Sequence, residues 1–181
     1  MCFTVRMTTG VVIGAIAGMF WVLGPGREGL YPPVWIACVA VVGAVAVLSV
    51  RAARRYAAAS DGARGKGFVR NPGYWAAVVV EVILVVVGTR ILGNDDLTLS
   101  VVLIAVGVHF FPLMWALYGR WNTTFAALGI ALTACGIALA AARIGGAPLW
   151  VFGVLGGVLP ALALTGIPVL VSWRSLARAS R

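Results

Sequence analysis

Two side chains in this sequence can hold or release a proton from inside an apolar run. Glu81 interrupts VVVEVILVVVGTR, residues 78–90, and His109, the chain's one histidine, interrupts VGVHFFPL, residues 106–113. A positioned carboxyl and imidazole are the usual partners in general acid–base chemistry. A charge among hydrocarbon costs several kcal/mol. Glu81 must therefore be protonated, paired, or turned toward water or a polar ligand.

The elements that position these groups follow from composition. The 181 residues are 62% hydrophobic and 10% charged, with a mean hydropathy of +1.03. A soluble domain carries about 25% charged residues. Too little polar surface exists here to cover a water-soluble sphere, and the expected class is all-α integral membrane. Six runs approach the roughly 20 residues a crossing needs: 7–24, 33–51, 74–92, 98–118, 123–142 and 148–173. Hydrocarbon gives open backbone groups no partner, so each run is expected as a helix. The first is kept as a helix and not a signal peptide, because VLGPGREG follows it where a small-residue cleavage site would stand.

Charge sets the expected orientation. With the N-terminus inside, the cytoplasmic side collects Arg6, the six basic residues of segment 51–70, Arg120, Arg174, Arg178 and Arg181, leaving only Arg27, Arg90 and Arg143 outside. This bias predicts a six-helix bundle in the cell (inner) membrane with both termini cytoplasmic. Tryptophans favour the half-wet membrane boundary. Trp21, Trp35 and Trp150 fall near the outer boundary, and Trp75, Trp115, Trp121 and Trp173 near the inner one.

That map puts the two titratable groups level. Glu81 precedes Leu92 by 11 residues and His109 follows Thr98 by 11, so at 1.5 Å per residue both lie about 16 Å from the outer turn. The hydrocarbon core is about 30 Å thick, which places both near its middle on an antiparallel hairpin. Ala77, Leu84, Val85 and Gly88 share a helical face with Glu81; Ala105, Val106, Pro112 and Leu113 share one with His109. Such faces suit a close helix contact or a narrow cavity. Pro112 lacks an N–H, which frees the carbonyl of Val108 as a third polar element.

Three uses of this centre compete. In the leading one, Glu81 and His109 form a site that binds or transforms a lipophilic small molecule, for example in a cyclase-type reaction. Glu81 is then the general acid or orienting group, His109 sets its protonation, and Phe110, Pro112, Ala77 and Ala105 line the site. The face of Phe110 can stabilise a cation. The second use is proton-coupled transport of a small molecule, for which an intramembrane carboxylate is minimum equipment. The third is a structural or partner-binding protein in which a Glu–His hydrogen bond locks two helices.

The remaining features are blander. Residues 52–73 are expected as a basic cytoplasmic loop whose start, Arg51 to Ala59, can extend the second helix. The charges of 51–70 attract anionic lipid headgroups at about 1 kcal/mol per basic residue near the surface. Lys and Arg distributed between hydrophobic runs serve topology, so no nucleic-acid partner is expected. Gly10, Gly14 and Gly18 form overlapping GxxxG steps, and Gly153, Gly157, Ala161 and Thr165 repeat the spacing. These ladders suit packing within the chain, with homo-oligomerisation through the first as the alternative. Pro112, Pro160 and Pro168 are expected to kink their helices. No cofactor or metal is expected: P-loop, GxGxxG, HExxH and GxSxG patterns are absent, residues 94–96 read as a solvated turn, and Cys2, Cys38 and Cys135 have no paired spacing.

The stretch GVHFFPL, residues 107–113, resembles one in a group of small multi-pass bacterial membrane proteins that bring no established activity. The likeness covers the third and fourth helices. Small integral-membrane terpene cyclases are similar in kind, as few-helix proteins with buried carboxylates, but none of their motifs matches residues here.

Overall fold

The computed structural model describes residues 4–27, 29–59, 72–92 and 95–179, and every described element is helical. Helix α1 spans Thr4–Leu23, α2 Pro32–Ala59, α3 Pro72–Leu92, α4 Asp95–Tyr118 and α5 Thr123–Ile144. A short α6, Leu149–Gly153, passes through a π-helical turn, Val154–Val158, into α7, Leu159–Ala179. A 3-10 turn, Pro25–Arg27, follows α1.

Local chemistry sets several of these ends. Pro32 and Pro72 open α2 and α3, where a missing N–H costs nothing. Asn122 caps α5, its Oδ1 accepting from the N–H groups of Thr124 and Phe125 at 3.1 and 3.3 Å. The valine-rich α3 is helical despite its β-branched content, as expected where backbone groups have no partner outside the segment.

Five spans are long and apolar enough to cross a membrane: 32–54, 72–91, 96–117, 123–144 and the composite 149–170. The described apolar stretch at α1, Val11–Arg27, is shorter than a full crossing. Large apolar side chains lie exposed along the middles of the helices, including Ile16, Val41, Ile83 and Ile130. A multi-pass protein in lipid shows this distribution.

The start of the basic segment continues α2 through Ala59, the extension that its sequence allows, and residues 72 and 73 belong to α3. Residues 60–71, which carry Asp61, Arg64, Lys66 and Arg70, lie outside the described residues. In the last hydrophobic run the irregularity stands one turn ahead of Pro160 and not at it. Pro160 cannot donate to the carbonyl of Gly156, and the chain widens to π geometry over Val154–Val158. Gly157 also packs directly on Gly26 of the 3-10 turn, with no room there for a Cβ. Pro112 and Pro168 are carried inside α4 and α7.

The core joins Trp21, Val22, Val42, Leu103, Leu128, Leu132, Leu139, Phe152, Ala161 and Leu164. It draws on α1, α2, α4, α5, α6 and α7, and α3 supplies none of it. The α3 helix packs chiefly on α4, with Ala77 joining a small cluster of Leu113 and Leu117. Only 6% of its spanning window is buried, against 39% for α4. It is an outrigger.

Backbones meet closely in two seams. A Cβ on Gly14 would stand 2.9 Å from the carbonyl oxygen of Leu164, and one on Gly18 2.7 Å from Thr165 Cγ2. The α1 ladder therefore serves the contact with α7. The alternative homo-oligomer through Gly10, Gly14 and Gly18 finds its face occupied at Gly14 and Gly18; the packing around Gly10 is not among the described features. The second seam, between α4 and α5, sets Gly107 against Thr133 and Gly136 against the Ser100 carbonyl. Ser49 adds a polar tie between α2 and α7, its hydroxyl 2.7 Å from the Thr165 carbonyl.

Candidate functional site

Antiparallel packing of α3 on α4 brings the two titratable groups together. His109 Nδ1 lies 3.4 Å from Glu81 Oε2 and 3.2 Å from the carbonyl oxygen of Val106. Both contacts use the same ring nitrogen. An N–H there donates to the carbonyl one turn back and points close to the carboxyl, holding the ring edge against α3. The carbonyl of Val106 thus stands beside the pair as a further polar element.

The two partners differ in access. The His109 side chain is 10% exposed, that of Glu81 24%. Glu81 sits mid-way along a helix on which Val80, Val82 and Ile83 are exposed, and its own side chain is partly exposed at the α3–α4 seam. The imidazole stands behind it.

The other expected site residues, Ala77, Ala105, Phe110 and Pro112, take varied places. Ala77 and Ala105 are buried, at 2% and 4% exposure, and their small side chains bring α3 close to α4. Phe110 packs edge-on against Phe125 with ring centres 5.8 Å apart, and its ring is tilted against His109 at 5.1 Å. It stiffens the back of the pair by linking α4 to α5. Pro112 is exposed on α4. Thr165 spends its hydroxyl on the Ala161 carbonyl. Thr133 meets Gly107, on a face of α4 about 200° round the helix from His109.

Among the described residues no group of three or more His, Cys, Asp or Glu side chains converges. Chemistry at this centre is that of one carboxyl, one imidazole and one carbonyl. Two cavities lie elsewhere. An apolar groove of about 450 Å³ runs between α2 and α7 along Ala37, Cys38, Val41, Val158 and Leu162. A more polar one, about 310 Å³, lies at the far end of α4, where Arg143 covers the ring of Phe152. In the sequence Arg143 is marked only as one of three expected outer charges, and nothing in the spacing links it to Phe152.

Trp21 and Trp35 also do more than mark a boundary. Trp21 is 7% exposed within the core, and Trp35 donates its indole N–H to the Val22 carbonyl at 2.9 Å, tying α2 to the end of α1. Trp75, Trp115, Trp121 and Trp150 are exposed, while the side chain of Trp173 lies outside the described features.

No protein-family model, curated protein or solved structure matches this chain.

Proposed function

We propose that the Glu81–His109 pair is an intramembrane site, open sideways to the bilayer, that binds a lipophilic small molecule carrying a hydrogen-bonding group. The observation that supports this reading is the asymmetry of the pair: the Glu81 side chain is 24% exposed while that of its imidazole partner is 10% exposed. A membrane-dissolved molecule reaches Glu81 first, and His109 governs whether Glu81 offers a proton or accepts a hydrogen bond. Acid–base chemistry on the bound molecule is the natural extension.

The proposal places the site in a six-span inner-membrane protein with cytoplasmic termini. Helix α1, with 20 residues, is about 30 Å long and serves as the sixth span. The basic segment 51–70 then lies against anionic headgroups on the inner side.

One observation favours a second reading. Helix α3 packs chiefly on α4, so a polar contact there also serves to fasten it, as a helix-locking contact in a structural or partner-binding protein would. Native mass spectrometry of the purified wild type beside Glu81→Gln separates the two. A lipophilic adduct carried by the wild type and lost in the variant supports the ligand site. Identical spectra with reduced thermal stability in the variant support the lock and overturn the site. Substrate-dependent proton flux in liposomes would instead mark a transporter.

A further inference from the structure

A second polar site stands at the end of the bundle where α4 begins and α5 ends, 13 residues and so about 20 Å along α4 from His109. Asp96, Arg143, Gly146, Ala147 and Phe152 line its cavity of about 310 Å³. Arg143 is half-buried, and its guanidinium carbon lies 3.8 Å from the centre of the buried Phe152 ring. The ring engages the face of the cation and leaves the N–H donors at its edge.

A basic residue in the last turn of a helix ordinarily serves the terminal carbonyls. Here the main chain serves them. Gly145 donates to Ala141 at 2.9 Å, Ala147 to Ala142 at 2.9 Å and Gly146 to Arg143 at 3.2 Å, through a turn that Gly146 makes at φ +65°. Among the described residues the guanidinium forms no ion pair or hydrogen bond. Ile144, Leu149 and Trp150 beside it are 57–78% exposed, an apolar and aromatic fringe suited to the headgroup boundary of a bilayer. A cation whose fork-like donors have no partner among the described residues meets phosphate at that depth.

We propose that this cavity binds the headgroup of a zwitterionic phospholipid bearing a primary ammonium, with the phosphate on Arg143 and the ammonium drawn to Asp96. Arg143 alone would accept any lipid phosphate. The carboxylate in the same cavity disfavours headgroups that carry only negative charge and attracts the ammonium.

The test titrates delipidated full-length protein in detergent with dioleoyl phosphatidylethanolamine, dioleoyl phosphatidylglycerol and dioleoylglycerol, reading bound lipid by native mass spectrometry. The wild type should retain phosphatidylethanolamine in preference to the other two. Arg143→Gln should lower that retention on the order of tenfold, Arg143→Lys should lower it less, and Asp96→Asn should narrow the preference over phosphatidylglycerol. Unchanged retention in Arg143→Gln would overturn the proposal. So would equal retention of dioleoylglycerol by the wild type, which needs no variant to fold. Displacement by soluble phosphoethanolamine at the concentrations effective for the lipid would overturn the assignment to a membrane lipid.

Discussion

His109 faces Glu81 in the register that also sets Val101 against Gly88 and groups Ala77 with Leu113. The polar contact is thus one rung of a continuous helix seam, with small residues above and below it letting the backbones approach. Interhelical polar contacts in a membrane average about 0.6 kcal/mol and reach about 1.7. A double-mutant cycle with Glu81→Gln and His109→Ala, read by unfolding in detergent, should give a coupling within that span. Additive effects would mean that the two groups do not interact across the seam.

The α4–α5 seam should be the less forgiving one. A Cβ on Gly136 would lie 2.8 Å from the Ser100 carbonyl oxygen and 2.9 Å from the Ile104 nitrogen, both backbone atoms that cannot turn aside. Gly136→Ala should therefore destabilise the protein by about 1–3 kcal/mol, the usual cost of overpacking. Gly166→Ala, at a position with no atom within 4 Å of the added Cβ, should be neutral or gain up to about 1 kcal/mol from helix propensity. Thermal unfolding of the two variants side by side measures the contrast.

The helix seams were unequally legible in the sequence. Glu81 and His109 each stand 11 residues from the same turn, and the rise of a helix converts equal count into equal depth, so their meeting was open to inspection. Gly14 and Gly18 repeat at four residues, matching the ladder of Ala161 and Thr165 on α7. Gly107 has no such partner on α4, and Gly129 and Gly136, seven apart on α5, carry a fainter signal. Which helix an apolar face meets was beyond reach, because in α3 nearly every position is apolar and no face is marked. The contact of Arg143 with Phe152 depends on the turn at Gly146, whose path no periodicity encodes. The π turn was half-legible: Pro160 announced a disruption, but its displacement to Val154–Val158 also follows the close approach of Gly26 to Gly157.

Gly18 gives a direct check on how α1 is used. A Cβ there would meet Thr165 Cγ2 at 2.7 Å and the Ala161 carbonyl oxygen at 3.0 Å, both on α7. Gly18→Val should lower the melting temperature and leave the oligomeric state in detergent, measured by light scattering, as in the wild type. A variant that changed from dimer to monomer with little loss of stability would restore the ladder as a contact between copies.

The orientation of the whole bundle is testable from two exposed aromatic positions at opposite ends. Tyr31 lies in the turn before α2 and is 72% exposed; Trp121 lies in the turn before α5 and is 59% exposed. The bias of basic residues toward segment 51–70 and Arg120 predicts Trp121 inside and Tyr31 outside. In a chain with Cys2, Cys38 and Cys135 replaced by alanine, Tyr31→Cys should react with a membrane-impermeant maleimide on intact bacterial cells. Trp121→Cys should react only after the membrane is opened, because the reagent cannot cross a hydrocarbon core about 30 Å thick. The opposite pattern would invert the topology and move Arg143, with its cavity, to the cytoplasmic leaflet. Labelling of both positions on intact cells would place the two turns on one side, and α2, α3 and α4 could not then make the three crossings between them.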